Sequence, residues 1–153
     1  MVGHDRVVRD NVHRDIVLDD DISRLVDTRT FQRLRDVKQL ATCHYVFPTA
    51  THTRFVHSLG AQHLAGVLLE HLEKVNPGQI TPEDARLVRY AALLHDIGHP
   101  PFSHALENDR VFANYHHHEK WGRMILEDPD NDLRQVLIDL VGEDGLARMF
   151  SIL

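Results

Sequence analysis

Residues 93–104 read Leu93-Leu94-His95-Asp96-Ile97-Gly98-His99-Pro100-Pro101-Phe102-Ser103-His104. A histidine and an aspartate stand next to each other at the end of an apolar run, which sets an imidazole nitrogen beside a carboxylate oxygen. That donor pair suits a divalent metal of intermediate hardness. His99 and His104 follow closely and add imidazoles that can meet a charged ligand.

Upstream of this stretch, Thr81-Pro82-Glu83-Asp84 is a helix start: a threonine cap, proline at the first position and acids in the first turn. The helix is expected to run to about Ile97, where Gly98 and Pro100-Pro101 stop it. Val88, Ala91, Ala92 and His95 share a face, so His95 is expected to face the core. An earlier helix is expected from about Arg54 to Val75, ended by Asn76-Pro77-Gly78. Helical steps from His57 reach Ala61, Leu64, Ala65, Leu68 and Leu72, an apolar stripe that turns His57 inward. His63 and His71 fall on other faces. Two inward histidines are costly unless satisfied, and a metal shared with Asp96 would satisfy both. A backbone carbonyl or a neighbouring side chain is the structural alternative for each histidine.

The rest of the chain reads mainly as helices on short loops, without repeats. Ile22, Leu25, Val26, Phe31, Leu34, Val37 and Leu40 have helical spacing over residues 20 to 40, broken near Asp27-Thr28, where Thr28 can cap a second helix. His44 to Ala50 reads as an extended connection because of Pro48. A short helix is expected around Ser103 to Asn108, and another from Tyr115 through Ile125. A last amphipathic helix spans Asn131 to Val141, with Leu133, Val136, Leu137 and Leu140 on its apolar side. The apolar ending Met149-Phe150-Ser151-Ile152-Leu153 is expected to pack on something outside the chain.

These elements amount to an all-α chain forming one domain over 1–153, with residues 1–19 as a lead-in and 20–153 as the helical core. Its 42% apolar and 26% charged residues are ordinary for a globular protein. No apolar run is long enough for a transmembrane helix, and the start lacks the apolar core of a signal peptide. One cysteine, Cys43, excludes an internal disulfide and fits a cytoplasmic location. A net charge of −6 argues against non-specific nucleic-acid binding.

Several separate motifs now occur in one order. His52-Thr53-Arg54-Phe55-Val56-His57-Ser58-Leu59-Gly60 is followed by His95-Asp96-Ile97-Gly98-His99 and by Pro101-Phe102-Ser103-His104. Together they resemble the HD-domain metal-dependent phosphohydrolases. Within that superfamily the chain is most similar to the dNTP triphosphohydrolases, the group of the SAM-and-HD-domain enzymes and their bacterial relatives. Thr30-Phe31-Gln32-Arg33-Leu34-Arg35, Lys38-Gln39-Leu40, Tyr45-Val46-Phe47-Pro48 and His118-Glu119 extend the resemblance from about Arg6 to Met124.

The resemblance implies an HD-domain helical bundle that hydrolyses a dNTP to deoxynucleoside and triphosphate. It implies a divalent metal (Fe, Mn, Ni, Zn or Mg) on His57, His95 and Asp96. Such an ion polarises a phosphoryl oxygen and lowers the pKa of a bound water. His99, His104 and His118 would surround the phosphates, with His104 as proton donor to the departing 5′ oxygen and Glu107 orienting it. Arg54 would reach the phosphates, and Gln39 and Leu40 would contact the nucleoside. Asp27, Gln32 and Arg35, with the backbone near Arg6-Val7, match positions that recognise an activating guanine nucleotide between subunits, which implies a homo-oligomer. Read without the resemblance, Gln32, Arg35 and Gln39 are the polar face of an amphipathic helix, and His116 and His117 a solvated helix start.

The family's last metal aspartate belongs to a downstream segment resembling Asp-x-Asp-Lys-x-Asp-Tyr, which does not occur here. Asp132, Asp139 and Asp144 are present outside any matching context, with Asp139 the nearest substitute by helix position. The chain therefore resembles the N-terminal portion of a catalytic unit, an incomplete bundle. The alternatives are an HD phosphohydrolase acting on nucleoside monophosphates or cyclic dinucleotides, and a nucleotide- or metal-binding module without turnover.

Overall fold

The computed structural model describes residues 6–102 and 117–153. The expected short helix at 103–108 and the residues His104, Glu107 and His116 lie outside the described residues.

The described part of the lead-in forms a β-hairpin, an element that the sequence reading does not anticipate. Strand β1 (Arg6–Asp10) pairs antiparallel with β2 (Arg14–Leu18), Arg6 opposite Leu18 and Asp10 opposite Arg14. Asp10 Oδ1 accepts hydrogen bonds from the Val12 and His13 amides at 2.8 and 2.7 Å, which closes the turn. Ile16 and Leu18 alternate inward into the core, while Val7 and Val17 face out. The all-α expectation therefore holds for the body of the chain, with this small sheet added to it.

Helix α1 (Asp20–Val26) is capped by Asp19, whose side chain accepts from the Ile22 amide. Thr28 caps α2 (Arg29–Gln32), as its sequence context predicts, and a 3-10 turn over Arg33–Asp36 follows. The segment after it is not extended: a 3-10 turn occupies Cys43–Tyr45, and Tyr45, Val46 and Phe47 are exposed. Helix α3 (Arg54–Val75) has the expected bounds. Helix α4 (Pro82–Leu94) begins under the Thr81 cap but stops at Leu94, so His95 is its C-cap and Asp96 lies in the following turn.

Helix α5 spans His118–Glu127 with His117 at its N-cap, and the Tyr115 and His116 of the expected helix start lie outside the described residues. Helix α6 (Asp132–Phe150) is interrupted at Gly142, whose φ of 69° is a left-handed conformation that glycine adopts without strain. That break is the predicted end near Val141, and a second helical stretch follows it.

One core joins these elements: Ile16 and Leu18 from the hairpin, Ile22, Leu25, Phe31 and Leu34, Phe55 and Leu59 of α3, Leu87, Tyr90 and Leu94 of α4, and Leu133, Leu137 and Met149 of α6. Of the apolar ending, Met149 is buried in this core and Phe150 packs against it, while Ile152 and Leu153 remain exposed. The α3 stripe is a correction. Leu64, Leu68 and Leu72 are exposed, and the buried face carries Phe55, Ser58, Leu59 and Gln62 instead. No described helix is long and apolar enough to cross a membrane.

Candidate metal centre

The first turn of α3 and the turn after α4 meet, and their side chains converge. His57 Nε2 lies 3.2 Å from His95 Nε2, 3.5 Å from Asp96 Oδ2, and His95 Nε2 is 3.4 Å from Asp96 Oδ1. Donor atoms held about 2.0–2.2 Å from one ion at tetrahedral or octahedral angles stand roughly 3 to 3.5 Å apart. The three spacings fit that requirement.

The donor chemistry fits as well. His95 Nδ1 lies 2.9 Å from the Ala92 carbonyl oxygen, which can only accept, so Nδ1 carries the proton and Nε2 turns a lone pair to the site. Burial lowers the His57 pKa, against the pull of Asp96, and so favours the neutral ligand form. Burial alone would raise the Asp96 pKa. The hydrogen bond from His99 and the charge of Arg54 are among the influences that outweigh it and hold the carboxyl well below the usual range. Both histidines face a solvent-accessible site rather than the core, since their side chains are 39% and 38% exposed. Asp96 is the buried member of the three candidate ligands.

Arg54 is not a surface cation: it is buried, and its Nη1 donates to Asp96 Oδ2 at 2.5 Å. Gln39 Nε2 approaches the same oxygen at 3.5 Å, while the adjacent Leu40 is exposed.

A second group extends from Asp96. His99, buried in the turn, sets Nε2 3.4 Å from Asp96 Oδ1, and its ring stacks on that of His118 with centroids 3.8 Å apart. A close backbone approach makes this stack possible. A Cβ at Gly98 would lie 2.0 Å from the His118 carbonyl oxygen and 2.2 Å from the Gly122 nitrogen, so only glycine lets α5 come this near. Asp96, His99 and His118 also satisfy the spacing of a cation-binding group, as do His57, His95 and Asp96. His117 lies at the helix start with its side chain 54% exposed, in keeping with a solvated residue.

Arg33 is a positioning residue that sequence reasoning did not single out. Its guanidinium donates to the His99 carbonyl at 3.0 Å and to the Ile97 carbonyl, bracing the turn that carries the ligands. Its only signal is its place in Gln32-Arg33-Leu34-Arg35, beside an arginine that points elsewhere. Asp139 is no substitute ligand, because it forms an ion pair with Arg24 of α1. Asp132 is engaged at the N-terminus of α2, accepting from the Arg29 amide at 2.6 Å and the Thr30 hydroxyl at 2.6 Å.

The positions that the resemblance matches to a regulatory nucleotide make hydrogen bonds to one another and to the backbone. Arg6 donates to both Asp27 oxygens at 2.6 and 2.8 Å. Gln32 donates to the Val26 carbonyl at 2.8 Å and accepts from Arg35 Nε at 2.6 Å.

Residues 54–146 match the HD domain family, a span that holds all three candidate ligands. An uncharacterized protein of Methanocaldococcus jannaschii is 46% identical over 118 residues, which is 77% of this chain and 23% of that protein. A deoxynucleoside triphosphate triphosphohydrolase SAMHD1 homolog of Dictyostelium discoideum is 40% identical over 78% of this chain and 24% of its own length. Human deoxynucleoside triphosphate triphosphohydrolase SAMHD1 is 47% identical over 67% of this chain and 16% of its own length. The chain thus spans a quarter or less of each of these curated relatives.

Proposed function

The chain belongs to the HD domain family, and on that premise we propose that it serves a phosphohydrolase that cleaves a dNTP to deoxynucleoside and inorganic triphosphate. The observation that carries this reading is the convergence of His57, His95 and Asp96 at 3.2 to 3.5 Å beside the stacked pair His99 and His118. Triphosphate release as the product rests on the two relatives named as triphosphohydrolases, at 40% and 47% identity.

In this reading His57, His95 and Asp96 hold a divalent ion, which supplies Lewis-acid chemistry toward a phosphoryl oxygen. His99 and His118 stack beside Asp96, where imidazole N–H groups can donate to phosphate oxygens. Arg54 keeps Asp96 ionised and oriented, and its guanidinium is near enough to exchange that carboxylate for a phosphate when the nucleotide is bound. Gln39 borders the same carboxylate and can meet the nucleoside together with Leu40. His104 donates the proton to the departing 5′ oxygen, with Glu107 orienting it. Asp27, Gln32, Arg35 and the Arg6 backbone form the place for a guanine nucleotide that activates a homo-oligomer.

Product analysis tests the reading. The protein is incubated with each dNTP, a nucleoside monophosphate and a cyclic dinucleotide, with Mn²⁺ present. Deoxynucleoside and inorganic triphosphate in equal amounts from a dNTP support it. Orthophosphate from the monophosphate, or opening of the cyclic dinucleotide, moves the assignment to those HD phosphohydrolases. Nucleotide binding without any product makes the chain a binding module.

A further inference from the structure

Away from the metal centre, the hairpin, α3 and the start of α4 enclose a cleft of about 1140 Å³, lined by none of the candidate ligands. Small-ligand pockets run to about 300–1,000 Å³, so this cleft has room for a length of chain. Gln62 lines it, is only 2% exposed, and its Oε1 has no hydrogen-bond partner among the described residues.

Arg89 lies across the cleft with one end anchored, Nη1 at 2.8 Å from Asp19 Oδ2. Its Nε is buried and likewise has no partner among the described residues. A Cβ on Gly66 would sit 3.7 Å from this Nε. Gly66 follows Gln62 by one helical turn, so the unpaired acceptor and the unpaired donor occupy neighbouring turns of the same wall. Each is costly to leave unmade. A peptide group carries the complementary N–H and C=O.

Charge narrows the occupant. Arg9 and Arg89 neutralise Asp15 and Asp19, which leaves Glu70 and Glu73 against Lys74 on the lining, with His63 beside them. Such a field favours a cationic partner and disfavours a nucleotide. Val17 and Val67, each about half exposed, offer apolar wall between the charges.

We propose that this cleft docks a basic peptide segment of a partner protein. A peptide N–H of the segment donates to Gln62 Oε1, a peptide carbonyl accepts from Arg89 Nε, and lysine or arginine side chains meet Glu70 and Glu73. Aliphatic side chains of the segment rest on Val17 and Val67.

Fluorescence anisotropy on the full chain tests this, with a capped, fluorescein-labelled peptide of alternating lysine and valine and its glutamate–valine counterpart as probes. Three variants accompany the wild type: Gly66→Leu, which fills the cleft; Gln62→Leu, which removes the acceptor; and the exposed pair Glu70→Gln with Glu73→Gln, which leaves the core untouched. Circular dichroism checks their fold. Saturable binding of the basic peptide, weakened at least tenfold by whichever of the first two variants folds and several-fold by the glutamine pair, with no binding of the acidic peptide, is the expected result. Equal binding of the basic peptide by wild type and variants, equal binding of the acidic peptide, or no saturable binding overturns the proposal.

Discussion

Arg54 and Asp96 form a buried ion pair, Nη1 to Oδ2 at 2.5 Å, with side chains only 2% and 9% exposed. It joins the first turn of α3 to the ligand turn after α4. The pair supplies buried Asp96 with a cation from within the chain.

Removing that cation should therefore be felt most in the metal-free protein. Arg54→Met leaves a buried carboxylate uncompensated, and breaking a buried pair in this way costs about 3–5 kcal/mol. A divalent ion on Asp96 replaces the lost charge, so the stabilisation by added metal should be larger in the variant than in the wild type. Urea unfolding with and without Mn²⁺ measures both. An equal metal-induced shift in the two proteins would show that Arg54 and the ion do not share Asp96.

Gly98 has no room for a side chain against the His118 carbonyl and Gly122. Gly98→Ala should push α5 away from the ligand turn, destabilise the fold by about 1–3 kcal/mol, and separate the His99 and His118 rings. Urea unfolding gives the first effect, and histidine ring chemical shifts in NMR spectra give the second. Wild-type stability with unchanged ring shifts would contradict the close approach.

The Asp132 carboxylate carries a predictable pH signature. Burial raises its pKa, but hydrogen bonds from the Thr30 hydroxyl and the Arg29, Thr30 and Leu133 amides outweigh this and lower it below 3.8. A depressed carboxylate adds stability above its unfolded pKa, and that stability is lost as pH falls through the folded one. Wild-type stability should decline on acidification from about pH 5, and Asp132→Asn should flatten the decline. Thermal melts of both proteins from pH 7 to pH 3 follow the difference. Parallel curves would argue against the cap.

Arg33 braces the carbonyls of Ile97 and His99 without touching a ligand atom. Arg33→Met should weaken metal affinity by about 10–100-fold while leaving stoichiometry intact, as losses in the shell behind metal ligands do. Calorimetric titration with Mn²⁺ reads affinity and stoichiometry separately. Unchanged affinity would make Arg33 a purely structural residue.

The parts of the fold written in local chemistry were legible from the sequence. The Thr28 and Thr81 caps, the bounds of α3 and the break near Val141 all depend on a few adjacent residues. The hairpin escaped because its strands have five residues each and carry charges, leaving only the alternation of Ile16 and Leu18 as a signal. The α3 face was misjudged because leucines at 64, 68 and 72 outweighed Ser58 and Gln62 in a hydrophobic count, yet the polar pair is the one buried. At the site, the His-Asp pair and His57 announced themselves by residue type. The roles of Arg54 and Arg33 did not, since both follow from contacts with residues 42 and 64 to 66 positions away.

On the proposed function, His57, His95 and Asp96 together hold one divalent ion. Metal content by elemental analysis, on protein purified without added metal, tests it most directly when wild type and His95→Ala are compared at equal helicity. The account predicts close to one ion per chain in the wild type and near none in the variant. Equal metal in both folded proteins would contradict it, and so would a folded wild type that stays metal-free even after Mn²⁺ is supplied.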